Sequence, residues 1–387
     1  MSSTWRVYLL ALVSFLVGTS EYIISGILDM ISDTMKISVT SAGQLITIFS
    51  FVYAIGTPIL MALTAKSERQ KLLVWALGVF VLGNVLSYAL PGYTSFLAAR
   101  VIMALGAGMT VVTALDIAAK IAAPGKQGSA IATVVMGFTA SLIIGVPLGR
   151  VVAAQFGWRA VFGLLALAGL AAMIVLYASI PRVQGDKPMP LSRQLAFLKN
   201  ENVALGLAIT FFWLGGYSIA YTYISPYLLE VAGLGEEMLS GVLLAFGIAS
   251  LIGSKFGGFS TDKWGVFPTL SWGMLLHVIA LILLSLTAAN MQSWLSVVIL
   301  LILWSFAAWS SGPTQQANLV RIEPNYSGIM LSLNQSMMQL SMAAGAAIGG
   351  VVVDRVSLSS ITWVGMVGVV IAIVVVWLLK LRLSAGR

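Results

Sequence analysis

The chain has 387 residues, of which 59% are hydrophobic and only 9% are charged, whereas soluble domains carry about 25% charged residues. A soluble fold of this length could not bury so much apolar surface, so the composition predicts a protein that spans a lipid bilayer. The sequence has no cysteine and one histidine, which excludes disulfides and clusters of thiolate or imidazole metal ligands. The cations behind the net charge of +8 lie in short segments between apolar runs. They form no basic face, so no nucleic-acid partner is predicted, and neither is a metal or a cofactor.

Twelve apolar runs are long enough to cross a membrane as helices, which takes about 20 mostly apolar residues. The longest polar stretch, 181–202, predicts a cytoplasmic linker between two six-helix bundles, 1–180 and 203–387. The predicted helices cover 7–29, 43–63, 72–90, 95–118, 130–153, 160–180, 203–228, 238–258, 268–288, 294–318, 328–352 and 361–381.

The positions of Lys and Arg predict the orientation, because cytoplasmic loops carry an excess of these residues. With the N-terminus inside, the outer loops hold only Lys36, Arg159 and Arg355, and the other loop cations fall on the cytoplasmic side. Both termini are therefore predicted to be cytoplasmic.

Small residues recur at every fourth position of the predicted fifth helix, at Gly137, Ser141, Gly145 and Gly149. Such spacing lets a neighbouring backbone approach closely, and Pro147 removes one helical hydrogen-bond donor and bends the helix. A conformational hinge and plain helix packing both account for this pattern.

Part of the pattern recurs in the second half, where Gly345 and Gly349 repeat Gly145 and Gly149. The shift corresponds to six helices plus the linker, so both halves enter the membrane in the same direction. This is the parallel duplication of one large class of transporters.

Two motifs resemble those of the major facilitator superfamily. Segment 145–149, GVPLG, followed by FGWR at 156–159, resembles the antiporter motif of its proton-coupled exporters. Segment 258–265, GFSTDKWG, resembles the loop between the second and third helices of each half.

Three further segments resemble one branch of this superfamily. Segment 221–227, YTYISPY, is similar to the signature of a branch that includes arabinose-type, chloramphenicol and purine exporters. Segments 63–69 and 313–316 most resemble purine-base and nucleoside efflux pumps.

The resemblance covers nearly the whole chain and points to the twelve-helix drug–proton antiporter family. It implies a major facilitator fold, with two six-helix bundles related by a pseudo-twofold axis, that works as a monomer in the inner membrane of a bacterium. It also implies gating or conformational roles for Asp262, Lys263, Gly265, Gly145, Pro147 and Gly149.

The sequence departs from the family pattern at three positions. Ala65 stands where the first-half loop usually has an aspartate, and Glu68 replaces the usual glycine. The charge pairs that the family forms at the inner end of the first half are therefore in doubt. Asp29 stands where related exporters commonly have proline.

Glu21 is the one acid deep within a predicted span, about two-thirds along the first helix, and charged residues inside the membrane usually mark function. Burial disfavours the charged carboxylate, whereas water or a nearby cation favours it. Alternating access changes that environment, so Glu21 is the predicted proton carrier, with Arg100 tuning or sensing its charge. A structural ion pair between the two is the alternative. Asp116 is expected to be solvated, and His277 is expected to have a packing role.

The predicted solute site combines aromatic and amide side chains, which suit a flat ligand with hydrogen-bond donors and acceptors. Tyr217 and Tyr221 share a face of the seventh helix because they are four residues apart. Some aromatic residues would instead form interfacial belts, which is the expectation for Tyr227 and Trp294. The predicted solute-binding residues are Tyr22, Tyr217, Tyr221, Trp304, Asn334, Gln335 and Gln339.

These observations predict proton-coupled export of a small neutral molecule by alternating access, with purine bases or nucleosides as the best-fitting substrates. Alternatives are a broad-specificity drug exporter of the chloramphenicol type, a sugar exporter, and a proton symporter or facilitator for uptake. A membrane-embedded enzyme would need a catalytic cluster of acids or metal ligands, so the protein is predicted not to be an enzyme.

Overall fold

The structure is a computed structural model that describes residues 3–122, 127–185, 195–289 and 294–385. Within these ranges, twelve helices are long and apolar enough to cross a membrane, and no strand occurs. The prediction of an all-α protein with twelve spanning helices is confirmed.

The first half contains six spanning helices. A short helix, Leu28–Met35, follows the first of them. The fifth has three consecutive segments, because a π-helical turn interrupts it. The spanning helices are α1 Ser3–Gly26, α2 Val39–Leu63, α3 Arg69–Ala89, α4 Tyr93–Ile121, α5 Gln127–Ala140 with Ser141–Gly145 and Val146–Phe156, and α6 Trp158–Ser179.

The second half contains the other six spanning helices. The first of these is followed by a short helix, Ile224–Pro226, and a π-helical turn, Tyr227–Val231. The spanning helices are α7 Glu201–Tyr221, α8 Glu236–Trp264, α9 Val266–Ala289, α10 Trp294–Ile322, α11 Ser327–Arg355 and α12 Ile361–Ala385.

One predicted loop is helical. Segment 258–265 was expected to lie between two helices, but α8 continues to Trp264. Only Gly265 leaves the helix, at a φ of 90°, which is a conformation that glycine adopts without steric cost.

The predicted linker 181–202 is described in part, because residues 186–194 lie outside the described ranges. Asn200 caps α7, since its side-chain oxygen accepts a hydrogen bond from the Asn202 backbone amide at 3.0 Å. Such caps satisfy one of the free amides at a helix start.

The chain divides into two compact units. The first contains Met1–Lys36 and Ile48–Leu191, and the second contains Ile37–Thr47 and Ser192–Arg387. The domain boundaries at 180 and 203 stay a prediction.

In the first unit, glycines of α5 pack directly on α1. A Cβ atom at Gly137 would collide with the Ala11 carbonyl, and one at Gly145 would collide with the Thr19 side chain. The π-helical turn Ser141–Gly145 lies between these contacts, and such turns are a known cause of helix bending.

The second unit repeats this packing between α7 and α11. A Cβ atom at Gly345 would lie 2.6 Å from the Gly215 carbonyl oxygen, and one at Gly349 would lie 2.7 Å from the Tyr223 ring. Each unit thus joins its first and fifth helices through glycines at equivalent positions.

Candidate functional site

Glu21 and Arg100 are buried charged residues on adjacent helices of the first unit. Glu21 on α1 is 3% exposed, Arg100 on α4 is fully buried, and the carboxylate interacts electrostatically with the guanidinium. Arg100 Nη1 donates a hydrogen bond to the Ser20 carbonyl at 2.8 Å, and its guanidinium lies over the Phe49 ring at 4.1 Å from the centroid. The site therefore holds a cation through a carbonyl, an aromatic face and a nearby acid.

Because Arg100 is buried, the charge state of Glu21 determines whether the guanidinium charge is compensated. Removing one partner of a buried charge pair is strongly unfavourable, because it leaves an uncompensated charge. Protonation of Glu21 removes such a partner from Arg100. The charge state of Glu21 on α1 would therefore affect the environment of Arg100 on α4, and a role of this pair in proton coupling stays a prediction.

A second charge pair joins the short helix Leu28–Met35 to α5. Arg150 Nη1 and Nη2 donate to the two carboxylate oxygens of Asp29, each at 2.8 Å, and the Arg150 side chain is 2% exposed. Two parallel hydrogen bonds of this kind combine charge with fixed geometry. Arg150 Nη1 also donates to the Gly26 carbonyl at 2.6 Å.

The Asp29–Arg150 pair lies beside the interruption of the first spanning segment at Ile27. Gly26 ends α1, so its carbonyl lacks a helical partner, and Arg150 supplies one. Asp29 lies in the first turn of the short helix Leu28–Met35, where a negative charge interacts favourably with the helix dipole. The sequence identified both residues individually but did not pair them, because 121 positions separate them.

A charge network joins the start of α3 to the last turns of α4, which corrects the expectation of a solvated Asp116. Arg69 Nε lies 2.7 Å from Asp116 Oδ2, and Lys120 Nζ lies 3.2 Å from the same oxygen. Glu68 pairs with Lys71 at 3.1 Å. The network therefore forms without an aspartate at position 65, because Asp116 on α4 provides the acid.

The corresponding end of α8 is more open. Asp262 and Lys263 are exposed, and the Lys263 ammonium lies 5.6 Å from the Phe259 ring centroid. Their predicted gating roles, and that of Gly265, stay predictions.

The second unit contains a buried aromatic cluster. Tyr217 and Tyr221 on α7 stack with ring centroids 5.1 Å apart, so the predicted shared face exists. Trp304 on α10 lies 5.5 Å from Tyr217, Phe246 on α8 lies 5.6 Å from Tyr221, and Trp309 Nε1 donates to the Tyr217 hydroxyl at 3.3 Å. We define these five residues as the aromatic cluster.

His277 on α9 joins the aromatic cluster rather than packing elsewhere. It is fully buried, its Nε2 accepts a hydrogen bond from Trp304 Nε1 at 2.7 Å, and its ring lies 6.3 Å from that of Tyr217. The sequence missed this contact, because periodicity does not reveal which face of α9 meets α10. The signal that would have found it is the rarity of histidine in the chain.

A second group of polar residues connects α7, α10 and α11. Thr210 donates to Asn334 Oδ1 at 2.7 Å, Gln315 Nε2 donates to Thr210 Oγ1 at 2.9 Å, and Asn318 donates to Gln315 at 3.2 Å. Asn334 is thus held through both polar atoms of its amide, since its Nδ2 donates to the Met338 sulfur at 3.6 Å. Gln315 and Asn318 were not among the predicted solute-binding residues.

The remaining predicted aromatic and amide residues have different surroundings. Gln339 is buried and Gln335 is half-buried. Tyr22 lies in the first unit, edge-on to Phe138 at 5.7 Å, so it does not belong to the aromatic cluster. Tyr227 is 1% exposed, which contradicts its expected place in an interfacial belt.

Tyr227 directly follows the short helix Ile224–Pro226, and its hydroxyl donates to the Leu284 carbonyl at 3.5 Å. Trp294, the other residue expected in such a belt, is 50% exposed at the start of α10. Among the described residues, no three His, Asp or Glu side chains converge as metal ligands would.

Twelve spanning helices with charged and amide side chains buried among them define a polytopic membrane transport protein. A family model described as the Major Facilitator Superfamily matches residues 10–340, and the chain belongs to that family. It is a transporter rather than an enzyme.

Three known proteins illustrate the similarity. The MFS-type transporter YbcL of Bacillus subtilis (strain 168), named as uncharacterized, is 67% identical over 374 residues, which cover 97% of this chain and 95% of that protein. YtbD of the same organism, named in the same way, is 30% identical over 370 residues, covering 94% and 92%. The crystal structure of a D-xylose-proton symporter matches with a TM-score of 0.79 at 17% identity and covers 97% of this chain and 98% of that one. The predicted major facilitator fold is confirmed, and the exporter branch stays a prediction.

Proposed function

We propose that the protein exports a small neutral solute in exchange for protons, by alternating access of its two six-helix bundles. The observation that carries this proposal is the burial of Glu21, at 3% exposure, in electrostatic contact with the fully buried Arg100. A purely structural ion pair with Arg100 is the alternative, and the experiment below separates the two. We propose a monomer in the inner membrane of a bacterium, with both termini in the cytoplasm.

Glu21 accepts a proton from the outside and gives it to the cytoplasm after the conformational change. While Glu21 is charged, it compensates Arg100; when protonated, it leaves Arg100 to its carbonyl and aromatic partners. That difference favours one conformation for each protonation state, which is the requirement for coupling. One charge that crosses about 100 mV provides about 2.3 kcal/mol, enough for a solute gradient of roughly 50-fold.

The glycine contacts of α5 on α1 support a conformational role for Gly145, Pro147 and Gly149. The π-helical turn before Pro147 gives α5 a bend beside the helix that carries Glu21. Asp262, Lys263 and Gly265 would control the inner end of the second unit.

A planar heterocycle fits the polar and aromatic groups of the second unit best, and purine bases and nucleosides are the proposed substrates. Stacked and edge-on rings at Tyr217, Tyr221 and Trp304 provide aromatic faces. Asn334, Gln335 and Gln339 would supply donors and acceptors, and Tyr22 is also a proposed solute-binding residue.

Energised everted membrane vesicles test this proposal, because their interior is acidic and solute export is directed inward. Hypoxanthine or adenine should release protons from vesicles with the wild-type protein and should cause no release with Glu21→Gln. Glu201→Gln is the matched control, since Glu201 pairs with Arg382 at an exposed position, and it should respond like the wild type. Proton release that persists in Glu21→Gln would refute Glu21 as the carrier.

A broad-specificity drug exporter is the second candidate, because stacking on aromatic faces accepts many flat molecules. In the same vesicles, release of protons by chloramphenicol and several unrelated drugs, with no release by purines, would establish this candidate. A symporter, as in the fold neighbour named for D-xylose and protons, would move solute and protons in the same direction.

A further inference from the structure

The hydrogen bond between Trp304 and His277 fixes the protonation state of the imidazole. An indole N–H is only a donor, so His277 Nε2, 2.7 Å away, must be the acceptor and carries no proton. The ring is therefore neutral and carries its single proton on Nδ1.

The Nδ1–H group is a buried donor that has no hydrogen-bond partner among the residues that the structure describes. His277 is 0% exposed, and an unpaired donor in such surroundings is unfavourable. An acceptor oxygen or nitrogen from outside the chain would satisfy it.

The surroundings of His277 match the proposed solute site. Its ring meets that of Tyr217 at 74° and that of Trp304 at 36°, so two residues proposed to stack on the solute contact it directly. Replacing His277 would remove the acceptor that orients Trp304. It would also remove the Nδ1–H group, which is the only hydrogen-bond donor of the imidazole.

We infer that His277 determines solute specificity: it positions the Trp304 indole through Nε2, and its Nδ1–H donates to a carbonyl oxygen or ring nitrogen of a planar heterocyclic solute. This inference rests on the proposed function for the nature of the solute. The tautomer and the positioning of Trp304 do not depend on it.

The single histidine of the chain permits a direct spectroscopic test. Full-length protein labelled with ¹⁵N-histidine and purified without a histidine tag gives the nitrogen resonances of one imidazole. We expect a protonated Nδ1 and an unprotonated Nε2, and Trp304→Phe should shift the Nε2 resonance. Trp377→Phe, at a position 61% exposed on α12, is the control and should shift neither. A proton on Nε2 would overturn the inference.

Titration with hypoxanthine then shows whether the solute or a buried water accepts the hydrogen bond from His277 Nδ1–H. The Nδ1 resonance should move as hypoxanthine binds. A resonance that stays in place at saturating hypoxanthine, in protein that transports it, assigns the acceptor to water and overturns the solute contact. If the wild type neither binds nor transports hypoxanthine, the proposed substrate has failed. In that case, the same titration with chloramphenicol, which also carries a carbonyl, tests whether a solute accepts the hydrogen bond from His277 Nδ1–H.

Two substitutions separate the roles of the two nitrogens in transport. His277→Gln places an amide near the Nε2 position, so it keeps a partner for Trp304 and loses the Nδ1 donor; His277→Asn does the reverse. We expect His277→Gln to raise KM about tenfold with little change in the maximal rate, as for one lost hydrogen bond.

Removal of one solute acceptor, as in 3-deaza or 7-deaza analogues of hypoxanthine, should raise KM in the wild type but not further in His277→Gln. Equal losses for every analogue in both proteins would contradict a direct contact.

Discussion

The two units share one scaffold but differ in what they bury. Each packs its first helix on its fifth through glycines at equivalent positions, Gly145 on α1 and Gly345 on α7. Yet the buried charged side chains among those that the structure describes all lie in the first unit: Glu21, Arg69, Arg100 and Arg150.

Among the described residues, the second unit buries aromatic and neutral polar side chains but no Asp, Glu, Lys or Arg. Tyr217, Trp304 and His277 contact one another, and Asn334 is bonded to Thr210. Charge is costly in a membrane and is retained where it acts, whereas stacking and amide contacts suit neutral solutes. We interpret the difference as a division of labour, with proton binding in the first unit and most solute contacts in the second.

The largest expected effect comes from removing the charge of Glu21. Glu21→Gln keeps the shape of the side chain but cannot exchange a proton, so proton-driven transport should be abolished while solute binding persists. Transport in vesicles and equilibrium binding of solute to purified protein measure the two activities. Loss of binding together with transport would mean that the first unit also recognises the solute.

The Asp29–Arg150 pair should dominate the stability of the first unit. Asp29→Ala leaves Arg150 buried without its acid, at an expected cost of about 3–5 kcal/mol. Glu201→Ala is the control, because its pair with Arg382 is exposed and worth at most about 1 kcal/mol. Thermal unfolding followed by tryptophan fluorescence measures both.

A reversed pair, Asp29→Arg with Arg150→Asp, sharpens this test. It should recover part of the lost stability, because the charges again compensate, but not all of it, because the Gly26 carbonyl loses its donor. No recovery at all would show that the pair acts through geometry alone.

Glycine substitutions compare the helix contacts of the two units. Gly345→Ala meets the backbone carbonyl of Gly215, which cannot rotate away, whereas Gly145→Ala meets the side chain of Thr19, which can. We expect overpacking costs of about 1–3 kcal/mol, with Gly345→Ala the more damaging. Gly241→Ala, where a Cβ atom meets nothing within 4 Å, should be neutral or stabilising; the reverse order for positions 145 and 345 would contradict these contacts.

The last comparison concerns the ends of the two units that carry Asp116 and Asp262. Asp116→Asn removes the acid that pairs with Arg69 and Lys120 and should cost about 1.5–3 kcal/mol. Asp262→Asn, at an exposed position, should stay within about 0.5 kcal/mol. Equal losses would indicate that Asp262 has a partner in a conformation other than this one.

Hydropathy was sufficient to predict the twelve helices, because lipid requires every spanning segment to be long and apolar. Pairings were not predictable, since they depend on helix rotation and depth. Asp116 was expected to be solvated because it lies near a helix end, but Arg69 approaches it from another helix. His277 was assigned to packing because third helices of a triplet are usually peripheral, yet its side chain points toward Trp304.

The positions at which helices are interrupted were also not predictable from the sequence. Pro147 indicated a bend in α5, but not the π-helical turn Ser141–Gly145 before it. The break at Ile27 directly follows Gly26, and the sequence did not indicate that Arg150 donates to the Gly26 carbonyl.

The division of labour is tested most directly by the protons released when solute binds to purified protein. Calorimetric titration with hypoxanthine in buffers of different ionisation enthalpy gives this number for the wild type and for Glu21→Gln. We predict that the wild type releases protons on binding, and that Glu21→Gln binds hypoxanthine with similar affinity and releases none. Equal proton release by both proteins would contradict the account, because the proton would then come from a group other than Glu21.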